Sequence, residues 1–143
     1  MRNGEAACEI NEQMPTYVVE RINRVLNDAG KCLDASRVLV LGIAYKRDVG
    51  DLRESPAIEI IHMLREQKVE VDYVDPYIPV LALKEEVLTA VPLDEDRVRR
   101  ADCVVILTDH SVFDYASIVK TASLVIDTRN ATAGLAETNI IRL

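Results

Sequence analysis

Lys46, Arg47, Asp48, Asp51 and Arg53 crowd one loop, YKRDVGDLRES, between the apolar run RVLVLGIA and a helix announced by Ser55-Pro56. Cationic side chains at a strand exit can hold an anion through charge-assisted hydrogen bonds. A surface loop whose five charges pair with one another fits the same residues equally well. Gly42 allows the strand a tight exit. A dinucleotide turn, however, needs GxGxxG, so that the backbone can approach a pyrophosphate closely. Here Ala44 and Lys46 occupy that stretch and the loop is several residues longer, which argues against a NAD pyrophosphate on the helix that follows.

Other polar residues stand where apolar runs end: Asp75; Thr108, Asp109 and His110; Asp127, Arg129 and Asn130. His110 between Asp109 and Ser111 evokes a hydrolase constellation. The GxSxG nucleophile turn is missing, and neighbours on an extended chain point apart, so His110 reads as structural or substrate-contacting. His62 reads as helix surface or packing, Asp75-Pro76 as a strand terminator, and Asp127 as an acceptor for loop amides. Glu85-Glu86 and DEDRVRR read as solvated helix faces. Cys8, Cys32 and Cys103 form no CxxC pair and have no histidine at ligand spacing, so neither a metal site nor a catalytic cysteine is expected. Cys103, inside ADCVVILT, reads as buried.

The elements that must position these residues follow from apolar periodicity. In residues 12–29, Val18, Ile22, Val25 and Leu26 form one helical face, Gly30 is placed to end the helix, and Met14-Pro15 marks a break or entry near that point. RVLVLGIA is the continuous apolar run of a strand covered on both faces. A second helix is expected from Pro56 to about Gln67, capped by Ser55, with Ile58, Ile61, Met63 and Leu64 buried. VEVDYVDP reads as a strand, 80–88 as a short helix, 93–101 as a helix, DCVVILTDH as a buried strand, DYASIVKTA as a helix and SLVIDTRN as a core strand. GLAETNIIRL adds an edge strand or packs as a cap. Alternating strands and helices predict an α/β fold, a three-layer Rossmann-like parallel sheet with helices on both faces, preceded by an N-terminal helix. The expected division is a disordered tail over 1–10, the helix over 11–35 and the α/β domain over 36–143. Ligands of such sheets sit beyond the carboxyl ends of the strands, here the loops 42–54, 75–79, 108–113 and 127–133.

The totals bound the function. At 143 residues, 49% apolar and 29% charged, the chain suits one soluble globular domain. A net charge of -7, with no Trp and one Phe, argues against nucleic-acid binding. No apolar run approaches the ~20 residues of a membrane span, and the N-terminus lacks a secretory core. The expected location is cytoplasmic.

Four motifs in order carry a resemblance: LGIAYKRDVGDLRESPAIEII, VDYVDPYIP, VVILTDHSVFDY and VIDTRNAT. Together they resemble the C-terminal, UDP-sugar-binding domain of the UDP-glucose/GDP-mannose dehydrogenase family, closest to its UDP-N-acetylglucosamine or UDP-N-acetylmannosamine 6-dehydrogenase branch. EINEQMPTYVVERI is similar to the end of that family's central connecting helix. The resemblance implies two successive NAD-dependent oxidations of a sugar C6 alcohol to the carboxylate, through a cysteine thiohemiacetal and thioester supplied elsewhere. It implies that Gly42, Tyr45 and Lys46 contact the UDP-sugar, that Arg129 stands on the substrate side, and that Arg53 reaches NAD held mainly by another domain.

Neither GxGxxG nor the Gly-x-Pro-Cys nucleophile element occurs in these residues, nor do the family's upstream lysine and asparagine. The expectation is therefore a domain that grips a UDP-sugar but is inactive alone, as an excised domain or the product of a shortened gene. The alternative is a stand-alone, non-catalytic module that binds a nucleotide sugar or serves association. Expected partners are a UDP-sugar and an N-terminal dehydrogenase domain, or a second copy of the chain through Val18, Ile22 and Val25.

Overall fold

A computed structural model describes the backbone of residues 3–143 and the side chains from Met14 onward. Helix α1 (Asn3–Asp28) leads into strand β1 (Arg37–Leu41), helix α2 (Ala57–Glu66) and strand β2 (Glu70–Val74). Strands β3 (Val80–Ala82) and β4 (Val87–Thr89) follow, then α3 (Glu95–Arg100), β5 (Cys103–Ile106), α4 (Tyr115–Thr121), β6 (Val125–Asp127) and β7 (Ile140–Arg142). The main sheet runs β2-β1-β5-β6-β7, and every neighbouring pair in it is parallel. The C-terminal segment is thus an edge strand, reached by turns long enough for a parallel crossover of about a dozen residues.

Strand residues alternate between two cores because successive side chains point to opposite faces. Val38, Val40, Val71, Tyr73, Cys103 and Val105 pack with α1 and α2. Leu39, Leu41, Val74, Val104, Ile106 and Val125 pack with α3 and α4. This is the three-layer α/β arrangement expected.

Helix α1 buries Val18, Ile22, Val25 and Leu26 within its own chain, against the layer that holds α2. That stripe folds back on the body. The helix passes through Pro15 rather than breaking there, although proline withdraws one amide from the ladder. Gly30, with φ +80°, takes the left-handed turn after the last helical residues, and Lys31 N–H closes onto Leu26 O at 2.8 Å. Of the tail expected over 1–10, the first two residues lie outside those described; from Asn3 the backbone is helical.

Two local expectations are corrected. Residues 80–88 form an antiparallel hairpin, with Leu81 opposite Leu88 and Leu83 N–H donating to Glu86 O at 2.8 Å. Leu81 is buried in the core shared with α2, while Val80 and Val87 are exposed. That alternation suits a strand and would place a helix's apolar stripe in water. In α2, Ile60 is fully buried, whereas Ile58 and Met63 pack at its edge. The helix begins one residue later than expected, with Pro56 flanking it.

Candidate functional site

Strand order reverses between β1 and β5, so a crevice opens where the loops after these strands diverge. Gly42 leaves β1 at φ +79°, a backbone region that favours glycine. A Cβ there would stand 2.5 Å from the Thr108 Cβ, and Thr108 Oγ1 donates to Ala44 O at 2.6 Å. Gly42 therefore serves the contact between two loops, and the space beside its Cα is filled by protein.

One buried polar group at this end is a pair that the sequence keeps far apart. His110 is fully buried, with Nε2 3.0 Å from Asp75 Oδ2. Its Nδ1 accepts the Asp48 N–H at 2.9 Å. Asp75 Oδ2 also accepts the Ile43 N–H at 2.8 Å, and Oδ1 accepts the Tyr77 N–H at 2.8 Å. Asp75 thus joins three loops, a role missed when it was read as a strand terminator; its position beside the switch point was the available signal. Asp48, left-handed at φ 60°, accepts from the N–H and Oγ of Ser111 at 2.8 and 2.7 Å. The Ser111 hydrogen bonds hold the Asp48 carboxyl below its ordinary value.

The charges of the 42–54 loop divide into three kinds. Arg47 reaches across to Asp109 at 2.6 Å, and this partner raises its guanidinium further. Arg53 folds onto Asp51 through its amide, Nε and Nη2, at 2.9, 3.1 and 3.0 Å. Mutual neutralisation within the loop is thus seen for Arg53 and Asp51, while Arg47 and Asp48 are anchored on the neighbouring loop. Lys46 is exposed and engages in no ion pair among the described residues. Tyr45 is also exposed; its N–H donates to Asp51 O at 2.6 Å, and its own carbonyl accepts from Arg129 Nη2 at 2.9 Å. Tyr45, Lys46 and Arg129 therefore share one end of the sheet, whereas Arg53 projects outward with its side chain 88% exposed. Ser55 Oγ donates to Ile43 O at 2.7 Å and accepts the Ala57 N–H at 3.2 Å, tying the start of α2 to the same loop.

Asp127 organises the loop after β6 as expected. Oδ1 accepts the amides of Arg129 and Ala131 at 3.0 and 3.1 Å, and Oδ2 accepts the amide and hydroxyl of Thr132 at 2.8 and 2.5 Å. Burial alone would raise this carboxyl, but the Thr132 and loop-amide hydrogen bonds outweigh it and leave it lowered. Cys103 is fully buried, and burial pushes its thiol up to about 12, so it is no nucleophile at neutral pH.

A hollow of 220 Å³ at the opposite end of the sheet is lined by Arg37, Arg97, Arg100, Glu70 and Asp72. Arg37 pairs with Glu70, Arg97 with Asp72, and Arg100 Nε donates to Asp96 O. Its cations are already engaged. Lys46, an exposed cation in no ion pair among the described residues, stands instead at the carboxyl end, which is where we place the candidate site.

The sequence model of the UDP-glucose/GDP-mannose dehydrogenase family, UDP binding domain, matches residues 39–134. The chain belongs to this family. The match takes in all four loops at this end of the sheet. The UDP-binding domain is 33% identical over 133 residues to a UDP-N-acetyl-D-mannosamine dehydrogenase of Methanococcus vannielii, covering 87% of this chain and 29% of that protein. It is 38% identical over 128 residues to an NDP-N-acetyl-D-galactosaminuronic acid dehydrogenase of Ralstonia nicotianae, covering 86% and 28%. A solved UDP-D-ManNAc dehydrogenase from Pyrococcus horikoshii superposes with a TM-score of 0.74 at 29% identity, over 94% of this chain and 31% of that one. The chain thus spans about three tenths of the relatives it matches. No helix among its described residues is long and apolar enough to cross a membrane.

Proposed function

We propose that these residues form the UDP-sugar-gripping part of a nucleotide-sugar 6-dehydrogenase acting on a UDP-N-acetylhexosamine. The oxidation of the C6 alcohol to the carboxylate is completed by a dehydrogenase domain outside this sequence. The observation that carries the reading is the placement of Lys46. It is an exposed cation, in no ion pair among the described residues, at the switch point of a sheet whose family binds UDP. Its ammonium meets a diphosphate, Tyr45 presents an exposed ring beside it, and Arg129 braces the Tyr45 carbonyl from the β6 loop. Gly42 contributes by letting the loop leave β1 against Thr108.

NAD, the cofactor such an oxidation needs, has no cradle in these residues. The single glycine of the strand exit packs on Thr108, and the Gly42, Ile43 and Tyr45 amides already donate to Val74 O, Asp75 and Asp51 O rather than facing a pyrophosphate. Arg53 fits a role toward it: its guanidinium is paired with Asp51 through Nε and Nη2 yet 88% exposed, so it can turn to a phosphate held by the other domain. When bound, NAD accepts the hydride. What these residues do is hold and orient the sugar nucleotide.

Titration of the isotope-labelled chain with UDP and UDP-N-acetylglucosamine, followed by backbone amide shifts, tests the reading. Shifts confined to 42–54 and 127–131 and abolished in Lys46→Ala are expected. Shifts elsewhere, or shifts that survive that substitution, would sink it.

A further inference from the structure

We propose that His110 is the positioning residue of the UDP site: its neutral ring, oriented by Asp75, fixes both ends of the segment that presents Tyr45 and Lys46. This rests on the reading of that segment as the UDP contact. The ring nitrogen Nδ1 accepts the Asp48 N–H at 2.9 Å, and a nitrogen that accepts carries no proton. The ring proton is therefore on Nε2, which donates to Asp75 Oδ2 at 3.0 Å. The same Oδ2 takes the Ile43 N–H at 2.8 Å. The chain from Ile43 to Asp48 is thus tied at both ends to one buried His–Asp pair, and Lys46 lies between the ties.

Packing alone does not account for a histidine here. Its ring sits between those of Tyr77 and Phe113, at centroid distances of 4.8 and 5.8 Å, where an apolar residue of similar size would fit. Both nitrogens are spent instead on the loop and its anchor. The left-handed Asp48, whose carboxylate Oδ1 is 3.8 Å from Nδ1, is strained backbone of the kind that surrounding structure must hold in place. Ser111, the residue after His110, clasps that carboxylate, so the histidine and its neighbour hold the N–H and the side chain of one residue together.

The test uses the 143-residue chain. Long-range nitrogen spectra of His110 should show Nδ1 bare and Nε2 protonated; the opposite tautomer would overturn the proposal. His110→Leu fills the space without an acceptor, and His110→Asn places a carbonyl oxygen near the Nδ1 position. With core amides such as Val105 still protected, His110→Leu should speed exchange of the Asp48 amide about tenfold and weaken UDP binding by a similar factor. His110→Asn should restore most of both. Unchanged Asp48 exchange in a folded His110→Leu chain, or no rescue by asparagine, overturns the proposal. A wild-type chain that takes up no UDP at millimolar concentration overturns the binding reading instead, and Asp48 exchange then decides the role of His110 by itself.

Discussion

Gly42 rests directly on Thr108: a Cβ at position 42 would lie 2.5 Å from the Thr108 Cβ and 2.6 Å from its carbonyl oxygen. Neither neighbour can yield, because one is backbone and the other sits on a fully buried residue. Gly42→Ala combines this clash with a left-handed backbone, and should cost about 3 kcal/mol of stability. Urea unfolding checks it; a loss below about 0.5 kcal/mol would show that the loop relaxes freely.

Lys46 and Arg53 should separate cleanly. Lys46→Ala is expected to remove UDP binding by this chain while leaving its unfolding midpoint unchanged, since the side chain is exposed and unpaired among the described residues. Arg53→Ala should leave UDP affinity intact and weaken only the use of NAD once the dehydrogenase domain is present. Calorimetric titration with UDP distinguishes the two, and equal losses would contradict the division of roles.

Acid should destabilise the fold through Asp127 and Asp102. Asp127 is held below its ordinary 3.8 because the Thr132, Arg129 and Ala131 donors outweigh burial. Asp102 is lowered in the same sense: the Lys31 ammonium at 2.6 Å and the Arg37 amide at 2.8 Å overcome burial. A carboxyl depressed on folding contributes stability that is complete above its unfolded value, about pH 4, and is lost as pH falls through the folded value. Denaturation midpoints should therefore drop on acidification below about pH 4. Asp127→Asn should flatten part of that drop and cost about 2–3 kcal/mol at neutral pH, since an amide nitrogen would face Thr132 donors. An unchanged acid limb in Asp127→Asn would remove Asp127 from the account.

The hairpin at 80–89 gives a contrast between neighbours in sequence. Leu81 is buried at 1% exposure whereas Val87 is 63% exposed. Leu81→Ala should cost about 2–4 kcal/mol, and Val87→Ala less than about 0.5 kcal/mol. Comparable losses at the two positions would mean that the segment does not pack as a hairpin.

Much of this architecture was written locally. The runs RVLVLG and CVVIL are apolar without alternation, and both became strands covered on two faces. The spacing of Val18, Ile22, Val25 and Leu26 set the buried face of α1, and Gly30 set its end. These features depend on neighbours within one or two turns, so a single stretch of sequence contains the information. The family motifs likewise placed Gly42, Tyr45, Lys46 and Arg129 on loops that the sheet brings to one end.

Tertiary structure decided the rest. Residues 80–88 carry apolar positions compatible with a helix, and only the pocket for Leu81 beside α2 and the pairing of β3 with β4 made them a hairpin. Asp75 looked like the end of a strand and His110 like a structural or substrate-contacting histidine. They lie in loops after strands that flank β1 on opposite sides, and their contact exists because the parallel sheet carries both loops to the same end. Which loop charges stay free was settled in the same way. Arg47 and Asp48 are claimed by Asp109 and Ser111, residues remote in the chain, and Lys46 is left facing outward. Sequence by itself determined most of the elements and pointed to the carboxyl end of the sheet as the candidate site, because periodicity is local. The pairing of buried polar groups was decided only by folding, because a hydrogen bond depends on distances that the sheet sets between residues far apart in the chain.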